Sequence, residues 1–149
     1  MDKRLSQLTI ALVIIGLLVS AWMSVYKLTS NDNMCVGSGA CKTVNDSRYS
    51  EINNIAVAYV GVAGYAALLA VLLLERRPGF IKENATMIFF ALSLLGFLFT
   101  VYLVFVEIAL IKAFCPFCVT SQVAMTLIFI LSVVRLIKQP FTGGKYASN

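Results

Sequence analysis

Four long apolar runs set the hydrophobic and polar pattern of the chain, at residues 8–28, 55–74, 85–111 and 115–137. Each is long enough to cross a hydrocarbon core, which takes about 20 helical residues. Lipid offers the backbone no hydrogen-bond partners, so spans of this kind are predicted as helices. The one long polar stretch is residues 29–54, where Asn31-Asp32-Asn33 marks a turn. The pattern predicts an all-α integral membrane four-helix bundle, residues 1–137, with a polar loop between the first and second helices. The tail at 138–149, with Pro140 and Gly143-Gly144, is expected to be disordered.

Within the runs, small residues fall where helices would approach closely. Gly16, Ser20 and Ser24 form one stripe on the first helix, and Ala58, Gly61, Ala63 and Gly64 are grouped on the second. Trp22 and Tyr26 are expected as interfacial anchors. Glu75-Arg76-Arg77-Pro78-Gly79 ends the second helix in a tight turn. The third run is rich in phenylalanine (Phe89, Phe90, Phe97, Phe99, Phe105), which serves helix packing or lines a pocket for a flat ring. Its carboxylate, Glu107, either snorkels to water or handles protons. Between the first two helices, Val44, Tyr49 and Ile52 alternate with polar residues over 42–53, a pattern shared by a short surface helix and an irregular loop.

Composition agrees with a membrane protein. The 149 residues are 60% hydrophobic and 13% charged, with a mean hydropathy of +0.88, whereas soluble domains are about 25% charged. The first apolar run exceeds the core of a secretory signal and reads as a retained helix. With the termini in the cytoplasm, eight basic residues lie inside and four outside, as the positive-inside rule requires. The net charge of +5 is therefore topological and implies no nucleic acid. There is no histidine, so imidazole is excluded as ligand or base.

Sulfur chemistry remains. Cys115-Pro-Phe-Cys118 opens the fourth run, and Cys35 and Cys41, with five residues between them, lie in the polar loop. All four fall on the predicted extracytoplasmic face, where disulfides persist. Pro116 suits a helix start, and backbone N–H groups there favour a thiolate. Several readings compete. Inert thiols behave as small hydrophobes. A zinc site is disfavoured by the spacer between Cys35 and Cys41, longer than the usual two to four residues. Structural disulfides that staple the loop would make a non-catalytic four-span protein, but a Cys-x-x-Cys ring gains little entropy from closing. Two exchanging pairs at one face instead make an electron relay. One pair meets a protein thiol in water and the other a lipid-soluble acceptor, for which a quinone is suited. No metal is called for, and no G-x-G-x-x-G follows a strand to suggest flavin or nicotinamide.

Four spans, a loop with Cys35 and Cys41, Ser47 six residues further on, and Cys-Pro-Phe-Cys at the head of the fourth run together resemble the vitamin K epoxide reductase (VKOR) family over about residues 8–137. The DsbB-type quinone-linked oxidases have the opposite arrangement, with Cys-x-x-Cys in the first outer loop. The resemblance implies a thiol oxidoreductase with quinone as acceptor (ubiquinone, menaquinone or phylloquinone), and with vitamin K quinone or epoxide reduction within its range. It also implies roles: Cys41 exchanges with a partner, Cys35 passes electrons to Cys115, Cys118 faces the quinone, and Ser47 lies near the quinone pocket. The chain departs from the family where Asn54-Ile55-Ala56 replaces Gly-x-Pro, and where Gln122 stands at the position of a tyrosine in vertebrate enzymes. Asn54 and Gln122 are candidate donors to a quinone carbonyl, or else satisfy a neighbouring helix. Many bacterial relatives carry a fused thioredoxin-like domain. Here the expected partner is a separate thioredoxin-like, DsbA-like protein on the outer face of the cell membrane.

Overall fold

The computed structural model describes residues 3–29, 39, 42, 43, 46–53, 55–76, 80–113 and 115–138. Cys35, Cys41, Asn54, the turn at 77–79 and the tail from 139 lie outside the described residues. The first helix, α1 (Lys3–Thr29), is followed by a single 3-10 turn at Arg48–Ser50 and a two-stranded hairpin, β1 (Glu51–Ile52) and β2 (Ile55–Ala56). Then come α2 (Val57–Leu74), α3 (Phe80–Phe105, continuing as a π-helical turn over Val106–Ile111) and α4 (Pro116–Lys138). All four helices are long and apolar enough to cross a membrane.

The helices close into a ring in chain order, α1 packing on α2 and α4, and α3 on α2 and α4. The small residues set these approaches. A Cβ on Gly16 would sit 2.3 Å from Tyr65 Cε1, and one on Gly61 would sit 3.0 Å from Ser20 Oγ, so at each approach of α1 and α2 a glycine on one helix makes room for a side chain of the other. On the other side of the bundle, a Cβ on Gly96 of α3 would sit 2.5 Å from Met125 Cε of α4. Val13, Tyr65, Leu68, Leu72, Phe89, Met125 and Ile128 form the main buried cluster.

Polar groups inside the bundle find partners across helices, as a low-dielectric interior demands. Ser93 Oγ donates to Ser132 Oγ at 2.9 Å. At the end away from the cysteines, buried Arg135 pairs with Glu75 and lies over the Phe89 ring, 5.6 Å from its centroid. This joins the end of α2 to α4.

The structure bears on four of the readings from sequence. Arg48–Ser50 form a turn, and Glu51–Ile52 and Ile55–Ala56 form a hairpin in which Ile52 pairs with Ile55 and Asn53 has φ 53°. Tyr26 is buried within the bundle, whereas Trp22 is exposed on its outer surface. The phenylalanines of α3 do not share one pocket: Phe97 and Phe90 stack on Phe129, with Phe97 at 4.6 Å, and Phe105 faces outward. Glu107 does not snorkel to water but is buried, 5% exposed.

Candidate functional site

Cys115 lies in the link between α3 and α4, directly ahead of Pro116 at the first helical position. Proline has no N–H to waste there and its fixed φ is already helical. The Cys115 carbonyl accepts the first helical bond, from Val119 N at 2.9 Å. Its Sγ consequently sits at the helix N-terminus and is wholly buried, at 0% exposure, against Met23, Ile111, Ala113 and Phe117. Cys115 and Cys118 are not joined to each other in a disulfide. Cys115 lies outside the spanning helices. The Cys118 thiol hydrogen bonds to it and outweighs the opposing effect of burial; with the backbone N–H groups of Cys118 and Phe117, this lowers the Cys115 thiol from 9.0 to about 7. The shift favours the thiolate of Cys115, the form that attacks a disulfide.

One turn further along α4, Cys118 lines a cavity of about 320 Å³ that Cys115 does not reach. The cavity lies between α2 and α3 and is floored by α4. From Glu107 it runs along α3 to Leu92, about 22 Å at the helical rise of 1.5 Å per residue. Its walls are mostly apolar, from Ala58, Gly61, Gly64 and Leu68 on α2 and Leu95, Phe99 and Leu103 on α3. Val60 and Leu95 line it and are also exposed, so it opens toward lipid between these helices.

The polar groups gather at the cysteine end. Tyr65 O–H donates to Ser121 O at 2.8 Å and lies 3.0 Å from Ser121 Oγ, fixing α2 to α4 one turn below Cys118. Glu107 and Gln122 line the same end, the carboxyl facing the Gln122 amide and the Cys118 thiol. The buried Gln122 Nε2 has no hydrogen bond of normal geometry among the described residues. Ser47 and Tyr49, ahead of the hairpin, reach the rim. Their segment is held by the Lys27–Glu51 ion pair at 3.1 Å, which links the end of α1 to β1.

Of the residues singled out from sequence, the structure thus brings together Cys115, Cys118, Ser47, Gln122 and Glu107. Tyr65, Ser121 and Tyr49 were missed. A tyrosine directly after the small-residue stretch at 58–64 and a serine three residues after Cys118 are faint signals, because only the assembled bundle brings them together.

A comparison with protein families matches residues 7–133 to the vitamin K epoxide reductase family. The chain belongs to that family. Membership places it among quinone-linked thiol oxidoreductases embedded in a membrane, and the four spanning helices agree. In the vitamin K epoxide reductase frame, the Cys-x-x-Cys at the head of α4 and the adjoining cavity are the features on which a functional reading turns.

Proposed function

We propose that the protein oxidises the thiols of a thioredoxin-like partner and passes the electrons to a membrane quinone, supporting disulfide formation outside the cytoplasm. The observation that carries this reading is the division of labour within the Cys-x-x-Cys: Cys118 faces an apolar cavity open to lipid, and Cys115 does not. A bound quinone supplies a two-electron acceptor. The cavity's volume falls within the range of about 300–1,000 Å³ usual for ligand sites, and its length suits a ring at the polar end with an apolar tail along Leu95 and Leu68.

The chain's residues divide the work. A partner thiol attacks Cys41 of the Cys35–Cys41 disulfide and the partner's second thiol closes its own disulfide, while the freed Cys35 thiolate attacks Cys115 of the Cys115–Cys118 disulfide; Cys41 then resolves the Cys35–Cys115 mixed disulfide and leaves Cys115 and Cys118 as a dithiol. That dithiol closes to a disulfide as its two electrons pass from Cys118 to the quinone. Gln122 Nε2 donates to a quinone carbonyl, with Ser47 as a further polar contact at the rim and Asn54 retained as a candidate from the sequence alone. Gly61 and Gly64 leave room for the ring, since a Cβ on Gly64 would meet nothing within 4 Å. Tyr65, held by Ser121, shapes the wall of the cavity.

The test is a titration of the purified, reduced protein with a short-chain quinone. Thiols should disappear at one dithiol per quinone, and Cys118→Ala should abolish quinone reduction while the loop pair still exchanges with a partner. Thiols that persist in the unmodified protein, or substantial quinone reduction by Cys118→Ala, refute the assignment and favour a structural disulfide role.

A further inference from the structure

α3 does not end as an α-helix. Over Val106–Ile111 it widens to a π-helical turn and closes at Lys112 in a left-handed conformation, φ 53°. Phe105 and Ile108 on either side face outward, while Val106 and Glu107 are both buried. An insertion of this kind re-aims side chains at the point where it occurs, and such turns recur at functional sites. Here its effect is to direct a carboxyl inward at the depth of Cys118.

Keeping a carboxyl in the apolar part of a membrane protein is costly, and such groups commonly mark proton routes. Glu107 has no basic partner that would explain it as structural: no lysine or arginine among the described residues lines the cavity. The titratable and polar groups around it are Cys118 and Gln122 from α4, Cys115 from the link, Tyr65 from α2 and Tyr49 from the loop.

We infer that Glu107 is the proton-transfer residue of the quinone site, taking the proton from the Cys118 thiol and passing it to the nearer quinone oxygen. The inference rests on the quinone reading above and deepens it. The balance is complete. Oxidation of the Cys115–Cys118 dithiol breaks two S–H bonds, forms one S–S bond and transfers two electrons to the quinone. Glu107 carries one of the two protons that complete the quinol and ends as the carboxylate it began as. The Cys115 proton is released to water at the cysteine end of the bundle, and water supplies the second proton of the quinol. Without an internal carrier, a thiolate and a developing quinol anion would both be charged in an apolar cavity, which is unfavourable. Gln122, beside the carboxyl, orients it and the quinone carbonyl together.

Glu107→Gln keeps the size and polarity of the side chain and removes its proton. Its kcat for quinone reduction should fall by about 10²- to 10⁴-fold, the usual contribution of a positioned acid–base group. Quinone affinity should be little changed. The acid limb of the kcat–pH profile should be lost, and Glu107→Asp should restore part of the rate. Infrared difference spectra between the dithiol and disulfide forms give a readout independent of turnover: a carboxylate band, shifted as the neighbouring Cys118 thiol is lost, should be present in the unmodified protein and absent in Glu107→Gln. Unchanged kcat and pH profile in Glu107→Gln overturn the inference. So does weaker quinone binding with kcat intact, which makes Glu107 a shaping residue, or a carboxylate band that survives the substitution. If Glu107→Gln does not fold, the Asp variant decides by its pH profile, which must shift if the carboxyl carries the proton. A failure of the unmodified protein to reduce quinone at all is a distinct result, and it overturns the parent reading along with this one.

Discussion

Replacing Gly16 by Ala tests whether the approach of α1 to α2 sets the shape of the cavity. The added methyl would lie 2.3, 2.4 and 2.8 Å from Tyr65 Cε1, Cζ and Cδ1, against ordinary carbon contacts of about 3.5–4.0 Å. Tyr65 is 2% exposed and its hydroxyl is tied to Ser121, so the ring can yield only into the cavity that it lines. Overpacking of this kind costs about 1–3 kcal/mol, and losing the bond to Ser121 about 0.5–1.5 kcal/mol. The better helix propensity of alanine returns at most about 1 kcal/mol. Gly16→Ala should therefore destabilise by about 1–3 kcal/mol in reversible unfolding in detergent, and raise the KM for quinone as the ring intrudes. The control is Tyr65→Leu, which is destabilising alone but removes the clashing ring. In that background Gly16→Ala should cost much less, giving a coupling of at least about 1 kcal/mol. A Gly16→Ala protein as stable as the parent would refute the argument, as would an effect of the same size with Leu at position 65.

Two further outcomes are expected. With Cys35 and Cys41 replaced by Ser, the ultraviolet absorbance of the Cys115 thiolate should rise through a midpoint at about pH 7, its charged form dominating above that pH. Cys118→Ala in the same background removes the hydrogen bond that most favours the thiolate and should move the midpoint upward; a midpoint unmoved would mean that Cys118 does not tune Cys115. Topology is tested by a membrane-impermeant thiol reagent on intact cells after mild reduction: Cys35 and Cys41 should label readily, Cys115 and Cys118 less, and a Gly79→Cys reporter only after permeabilisation. Labelling of the reporter with protection of the loop pair would invert the orientation and place the cysteines in a reducing compartment, against a disulfide-forming role.

The spans were legible in the sequence because the bilayer is a simple solvent. A backbone that finds no partners in lipid must bond to itself, so apolar length alone predicts α1 to α4 to within a few residues, apart from an earlier start to α1 and α3. The head of α4 was equally legible, since Pro116 has only one comfortable place in a helix and so puts Cys115 at its N-terminus. The close approach at Gly16 and Gly61 also followed from pattern, because small residues are the ones that permit it. The hairpin was readable in principle from Ile52-Asn53-Asn54-Ile55, where asparagine tolerates the positive φ of a tight turn. Other features came only with tertiary structure. Periodicity in an α-helical frame does not reveal a π-helical turn, so the inward aim of Glu107 was hidden. The Tyr65–Ser121 bond joins residues 56 positions apart, and a contact at that separation depends on how the helices are arranged around the ring. The cavity is of the same kind. Composition made every helix greasy, but which apolar faces pack and which stand apart is decided by where small side chains let two helices meet, and only the assembled bundle settles that.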